Sequence, residues 1–173
     1  AFNEYFDYKS GLDSQTQRTP FSGGSGTLQA HPELAGSALG LAIGSLLITA
    51  AVGIYFTWLR GWMLLPLGLL GLLLIVTYTI WFVYNPIACL LAPGLGFGVL
   101  MVMGTHFVLT GEYTRTAFIA SLVPTALVSN LLLLNQFPDA EADKAVGRRH
   151  FPILIGNKAS AWIFVSFLAA TYL

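Results

Sequence analysis

The chain has 173 residues, of which 55% are hydrophobic and 9% are charged, and its formal net charge at pH 7 is zero. A soluble domain usually carries about 25% charged residues, so this composition excludes an ordinary soluble protein and favours a membrane protein. A neutral chain also lacks the basic surface that nucleic-acid binding requires, so we expect a lipid bilayer and no nucleic acid among its partners. The single cysteine, Cys89, supports neither a disulfide framework nor a metal cluster.

The first 33 residues are polar and begin with an acidic stretch, NEYFDYKSGLD, at residues 3–13. Asn3 and Asp7 lie four residues apart in it, so on a helix both side chains point the same way. A glycine-rich run at residues 22–26 lacks the pattern of a nucleotide-binding loop, and we interpret it as a turn.

Four long apolar segments follow, at residues 34–57, 62–83, 87–110 and 117–137, and a fifth begins near Ala159. About 20 apolar residues suffice to cross a hydrocarbon core of about 30 Å. The pattern therefore predicts an all-α protein, a multi-span transmembrane helical bundle. Gly36, Gly40 and Gly44 recur at every fourth position, and we expect this stripe to pack closely against another helix.

A second acidic stretch, NQFPDAEADK at residues 135–144, follows the fourth apolar segment. We expect it to begin the one long connection between spans, residues 138–158. Asp139 and Asp143 repeat the four-residue spacing of the first stretch, and Asn135 precedes Asp139 as Asn3 precedes Asp7. Such matched pairs are unusual in an apolar chain unless they hold a cation.

Four predicted crossings separate the two acidic stretches, so both stretches lie on one face of the membrane. Six of the eight Lys and Arg residues lie on that face, and Arg60 and Arg115 lie on the other. Since cytoplasmic loops carry the excess of positive charge, we expect an integral protein of the plasma membrane with its active site on the cytoplasmic face.

These residue types indicate a site for Mg²⁺ and a diphosphate. Mg²⁺ is held by a few carboxylates together with substrate phosphates, and Lys and Arg bind phosphate oxygens. The candidate metal ligands are Asn3, Asp7, Asp13, Asp139 and Asp143, and among these Asp7, Asp139 and Asp143 are the candidate catalytic residues. The candidate diphosphate-binding residues are Asn3, Lys9, Arg18, Lys144 and Arg148.

Histidine and aromatic residues offer weaker signals. We predict that His106, inside the third span, hydrogen-bonds to a neighbouring helix, and that His31 and His150 are loop residues rather than metal ligands. The aromatic cluster at residues 78–84 is interpreted first as an interfacial belt, and alternatively as a pocket wall that shields a cationic intermediate.

Both acidic stretches resemble the motifs of the UbiA superfamily of intramembrane prenyltransferases. Residues 3–13 are similar to its first motif, N-[D/E]-x-x-D-x-x-x-x-x-D, and most similar to the form found in the menaquinone-type branch. Residues 139–144, followed by Gly147, Arg148, Arg149 and Pro152, resemble the second motif with its basic tail. Two departures stand out: Glu4 replaces the usual Asp, and residues 93–97 lack the basic residue and the Gly-Leu-Gly-Glu run of that branch.

The resemblance implies nine transmembrane helices around a central cavity, with residues 1–173 forming a single domain that is an internal fragment, truncated at both ends. It implies Mg²⁺-dependent transfer of a polyprenyl group from its diphosphate to an aromatic acceptor, 1,4-dihydroxy-2-naphthoate, in menaquinone-type quinone biosynthesis. On the same basis Asn3, Asp7, Asp139 and Asp143 would be the main metal–diphosphate residues.

Other functions stay open from the sequence. The acceptor could instead be 4-hydroxybenzoate, a glycerol-phosphate lipid or a porphyrin. A cation transporter that uses the carboxylates as its binding site is the alternative from another class. Transport predicts acidic residues near the middle of the membrane, whereas these lie at the ends of the predicted spans.

Overall fold

The computed structural model describes residues 1–12 and 25–172, and within these ranges the chain is helical and contains no strand. We number the α-helices in chain order. They are α1 (Phe2–Ser10), α2 (Thr27–Ala30), α3 (Ala35–Arg60), α4 (Leu65–Ile80), α5 (Pro86–Leu95), α6 (Met101–Thr110), α7 (Arg115–Ala145) and α8 (Phe151–Ala170). Short 3₁₀ turns precede α3, α4 and α5, and a π-helical segment, Gly96–Leu100, joins α5 to α6.

Five helical segments are long and apolar enough to cross a membrane, which confirms the predicted multi-span, all-α fold. Their outer surfaces expose large apolar side chains, as at Leu47 and Trp58. Such surfaces are stable against lipid rather than water. The spans are Pro32–Arg60, Trp62–Ile80, Pro86–Thr110, Arg115–Ala145 and Phe151–Ala170.

The predicted long connection at residues 138–158 is wrong. Helix α7 continues through Pro138 to Ala145, because the sequence after the proline is rich in helix-forming Ala, Glu and Lys. Helix α8 then starts at Phe151 rather than near Ala159, and it is interrupted at Gly156, whose φ of 78° is not helical. The connection therefore shrinks to residues 146–150, and the second acidic stretch belongs to a transmembrane helix.

Glycines in α5 and in the π-helical segment allow both to pack closely against α7. A Cβ atom at Gly98 would overlap Thr125, and one at Gly94 would overlap both Thr125 and Ser129. Only glycine allows the backbones to approach this closely. This seam lies in the region where the sequence departs from the menaquinone-type pattern, and it fixes the helix that carries Asp139 and Asp143.

The expected packing of Gly36, Gly40 and Gly44 against another helix is not seen within the described part of the chain. Nothing lies within 4 Å of a Cβ atom placed at any of the three. A small-residue spacing shows that a helix can be approached closely, but it does not say which neighbour approaches it.

Polar contacts also position α7. The Asn130 side chain donates from Nδ2 to the carbonyl oxygen of Phe164 in α8 at 2.9 Å. At the N-terminal end of α7, Thr114 caps the helix and its Oγ1 lies 3.0 Å from His106 Nε2. The prediction that His106 bonds to a neighbouring helix is therefore confirmed.

Candidate active site

Helix α1 presents the first acidic stretch. Asn3 donates from Nδ2 to Asp7 Oδ2 at 2.7 Å, which is the predicted contact between residues four apart on a helix. Asp7 is buried, and α1 ends at Gly11, whose φ of 75° suits a left-handed helix cap. Lys9 is exposed, and its ammonium lies 5.9 Å from the centre of the Tyr5 ring. Lys9 thus contacts its own helix.

Arg148 joins the two acidic stretches. Its Nη2 donates to Asp7 Oδ1, and its Nη1 donates to Asp143 Oδ1 at 3.3 Å. Asp143 is also bonded through Oδ2 to His150 Nε2 at 2.9 Å. One guanidinium therefore neutralises one buried carboxylate from each stretch, and the two stretches meet on one face of the bundle.

Backbone contacts fix the short connection that carries Arg148. The Arg148 amide donates to the Asp143 carbonyl oxygen at 2.9 Å, and Gly147 takes a φ of 81°. The next amide, at Arg149, donates to the carbonyl oxygen of Val83 at 3.0 Å. This bond ties residues 146–150 to the 3₁₀ turn Phe82–Tyr84 between α4 and α5.

A main cavity of about 220 Å³ opens beside the bridge. One face of α7 runs along it, because residues 132, 136, 139 and 143 follow helical spacing. We call six of its polar or charged lining residues the polar rim: Asn3, Asn135, Asp139, Asp143, Arg148 and His150. We call the remaining lining residues the deep wall: Tyr78, Val83, Cys89, Leu132 and Gln136.

The deep wall contains a buried polar contact. Gln136 donates from Nε2 to Cys89 Sγ at 3.2 Å, and both side chains are buried. Tyr78 stands beside them and lines the cavity, whereas Trp81 from the same aromatic cluster is exposed. The cluster therefore divides: Trp81 matches the predicted interfacial belt, and Tyr78 matches the alternative of a pocket wall.

A second cavity of about 200 Å³ lies on the other side of the bridge. Phe6, Asp7 and Tyr84 border it, and Val83 and Arg148 border both cavities. The Arg148 bridge therefore separates two neighbouring spaces.

The residue types fit Mg²⁺, since carboxylate and amide oxygens from both stretches are the hard ligands that this ion prefers. Among the described residues, no three His, Cys, Asp or Glu side chains are gathered as a metal site. Asp7 and Asp143 are instead paired with Arg148 and His150. In the protein alone, the candidate oxygen ligands are thus spread around the Arg148 guanidinium rather than gathered at one point.

The remaining site predictions have different outcomes. Asp13 and Arg18 lie outside the described residues. Lys144 is exposed at the end of α7 and, like Lys9, does not line either cavity. Glu4, the departure from the family pattern, accepts a hydrogen bond from Ser25 Oγ, so its carboxylate links α1 to the residues just before α2.

Sequence reasoning missed His150. It lies in the connection 146–150, as the loop prediction requires, but it is 2% exposed and bonded to Asp143, and neither its burial nor this contact was predicted. Its distance along the chain from Asp143 gave no signal of this contact. Gln136 was also missed, although its helical spacing from Asp139 and Asp143 places it on the face that carries the carboxylates.

Comparison with known proteins agrees with this arrangement. The model of the UbiA prenyltransferase family matches residues 1–173. The 1,4-dihydroxy-2-naphthoate octaprenyltransferase of Bacillus subtilis (strain 168) is 29% identical over 175 residues, covering 99% of this chain and 55% of that protein. The digeranylgeranylglyceryl phosphate synthase of Pyrococcus furiosus is 28% identical over 174 residues, covering 95% of this chain and 54% of that protein.

The chain thus spans about half the length of the curated relatives it matches. No solved structure matches it significantly. The family match covers the whole chain, and the similarity to the naphthoate enzyme extends over nearly all of it and supports the menaquinone-type branch. The chain therefore belongs to the UbiA prenyltransferase family.

Proposed function

We propose that the protein transfers a polyprenyl group from its diphosphate to a hydroxylated aromatic acceptor, in menaquinone-type quinone biosynthesis. The main support for this proposal is that Arg148 joins Asp7 to Asp143 beside a cavity with a polar rim and a more apolar deep wall. Such a lining suits the anionic head of a substrate and the first apolar carbons beside it. The acceptor we favour is 1,4-dihydroxy-2-naphthoate, which appears in the name of the Bacillus relative.

The rim would hold Mg²⁺ and the diphosphate. Asn3, Asp7, Asp139 and Asp143 would be the oxygen ligands for the ion, which would supply positive charge to stabilise the departing diphosphate. Arg148 has a fork of donors that matches phosphate as well as carboxylate. It would exchange its carboxylate partners for phosphate oxygens when substrate enters. Asp13, Lys9, Arg18 and Lys144 stay as further candidates for this site.

The deep wall would protect the reacting prenyl carbon. An allylic group that loses its diphosphate is cationic, and an aromatic ring face stabilises a cation by about 2 kcal/mol when water is excluded. Tyr78 supplies such a ring in the cavity, and Leu132 and Val83 supply apolar surface beside it. These side chains would favour attack by the acceptor over attack by water.

We place the site on the cytoplasmic face of the plasma membrane. Helix α1, the turn Phe82–Tyr84 and residues 146–150 contact one another at one end of the bundle. Arg60 and Arg115 lie at the other ends of their spans. The larger number of basic residues on the site's face supports a cytoplasmic orientation.

A glycerol-phosphate lipid is the second candidate acceptor, and the observation that favours it is the similarity to the Pyrococcus enzyme. Parallel assays with a glycerol-phosphate lipid, the naphthoate and 4-hydroxybenzoate distinguish these acceptors. Both relatives are named as enzymes, so the comparisons do not support the transporter alternative.

The proposal is tested in the full-length protein, with Mg²⁺, octaprenyl diphosphate and 1,4-dihydroxy-2-naphthoate. We expect Asp7→Ala or Asp139→Ala to abolish transfer, because each removes an oxygen ligand at a cost on the order of several kcal/mol of transition-state stabilisation. The matched control is Glu112→Ala, an exposed carboxylate at the opposite end of the spans, which should leave transfer unchanged. Near-normal turnover in either Asp variant would contradict the site assignment.

A further inference from the structure

Gln136 has one buried polar atom without a partner. The side chain is 6% exposed and lies in the deep wall of the main cavity. Its Nε2 donates to Cys89 Sγ at 3.2 Å, whereas its Oε1 is buried and has no hydrogen-bond partner. Such atoms are rare in folded proteins because desolvation without a hydrogen bond is unfavourable. The Gln136 amide group is thus fixed through its nitrogen, while its oxygen has no hydrogen-bond donor.

The chemistry of the missing partner is restricted. An amide oxygen accepts hydrogen bonds, so the partner must bring an O–H or N–H group. An ionised diphosphate offers only acceptors, and a polyprenyl chain offers neither donors nor acceptors. Of the two substrates in the proposed reaction, only the hydroxylated acceptor carries a donor that could reach this oxygen.

The position of Gln136 agrees with that role. It precedes Asp139 by three residues on the same face of α7, which places it about 4.5 Å deeper along the helix axis. An acceptor bound there would lie just beneath the diphosphate, where the first carbon of the prenyl group must be attacked. The cavity of about 220 Å³ suits a small ring system rather than a long isoprenoid chain.

We infer that Gln136 determines acceptor binding: its Oε1 accepts a hydrogen bond from a hydroxyl group of the aromatic acceptor, and the deep wall is the acceptor subsite. This inference rests on the proposed prenyl transfer. It adds a specificity-determining residue that neither the metal ligands nor the diphosphate-binding residues include.

The test compares Gln136→Leu with the wild type in the full-length protein. We expect KM for 1,4-dihydroxy-2-naphthoate to rise about tenfold, equivalent to about 1.4 kcal/mol. The Kd of the same compound, measured by equilibrium dialysis without prenyl diphosphate, should rise equally. KM for octaprenyl diphosphate and the Mg²⁺ concentration for half-maximal rate should not change.

A matched control is available on the same helix. Asn130 is 3% exposed, donates to Phe164, and has a buried Oδ1 without a partner, but it does not line the main cavity. Asn130→Leu should lower stability and leave the acceptor KM unchanged. A second probe needs no variant: methyl ethers of the naphthoate hydroxyls should bind the wild type about tenfold more weakly and Gln136→Leu no more weakly than the parent compound.

The outcomes separate the two hypotheses. If the wild type transfers a prenyl group and Gln136→Leu keeps its acceptor KM and Kd, the inference is overturned and the proposed function stands. A shift confined to the Mg²⁺ dependence would assign Gln136 to the metal and would also overturn it. If the wild type prenylates no hydroxyaromatic compound, both fail. Should Gln136→Leu not fold, equal binding of the naphthoate and its methyl ethers to the wild type decides against the inference.

Discussion

Replacing Arg148 should destabilise the fold, because its guanidinium is the shared counter-ion of two buried carboxylates. The side chains of Arg148, Asp7 and Asp143 are 17%, 9% and 7% exposed. Removing one partner of a buried ion pair costs about 3–5 kcal/mol, because an uncompensated charge stays behind. Here Asp7 keeps Asn3 and Asp143 keeps His150 as partners. We therefore expect Arg148→Gln to lower the free energy of unfolding by an amount at the lower end, about 3 kcal/mol.

Arg149→Gln is the matched control. Its side chain is exposed, and the only contact described for this residue is made by its backbone amide, which the substitution retains. Both variants are unfolded by denaturant in detergent micelles, with tryptophan fluorescence as the readout, in the full-length protein. Free energies of unfolding that agree within about 0.5 kcal/mol, the usual range for surface substitutions, would refute the counter-ion role of Arg148.

The same unfolding experiment is repeated in the presence of Mg²⁺. A cation that binds only the folded state raises its stability by RT ln(1 + [Mg²⁺]/Kd). In Arg148→Gln the carboxylates no longer have their guanidinium, so Mg²⁺ should stabilise this variant more than Arg149→Gln. If Mg²⁺ stabilised both variants equally, Asp7 and Asp143 would not be metal ligands. Such a result would not affect the role of Arg148 as their counter-ion.

Two further predictions concern packing and topology. Gly98→Ala should destabilise the protein by about 1–3 kcal/mol, since the added methyl overlaps Thr125. The control Gly96→Ala places its methyl in open space and should not lower the free energy of unfolding. Denaturant unfolding of both variants measures the difference. In intact cells, a membrane-impermeant maleimide should label Glu112→Cys, and it should label Lys144→Cys only after permeabilisation; the reverse pattern would contradict the cytoplasmic site.

The sequence was sufficient where the physical rule is local. The spacing of Asn3 and Asp7 predicted their contact, because residues four apart on a helix are neighbours. Counting apolar segments predicted all five spans, although the fifth starts at Phe151 rather than near Ala159, and it placed both acidic stretches on one face. These inferences need only helix geometry and the thickness of a bilayer.

The remaining features depend on tertiary contacts that no local pattern encodes. Arg148 reaches Asp7 across 141 residues of chain, and only the fold brings them together. The contact between His150 and Asp143 was missed for the same reason, because it depends on the turn that follows α7. The predicted end of the fourth span at residue 137 followed the apolar pattern alone, whereas α7 continues through Pro138 to Ala145 and packs against α5 and α8.

Helix α7 has 31 residues and is therefore about 46 Å long, whereas a hydrocarbon core measures about 30 Å. The apolar part of α7 ends at residue 137. The part of the helix that exceeds the hydrocarbon core therefore extends Asp139 and Asp143 towards water, while Leu132 stays within the core. The main cavity thus lies at the boundary between water and the hydrocarbon core. Under the proposed function, Mg²⁺ would reach this cavity from water and the prenyl tail would reach it from lipid, so neither would have to change phase to meet the other.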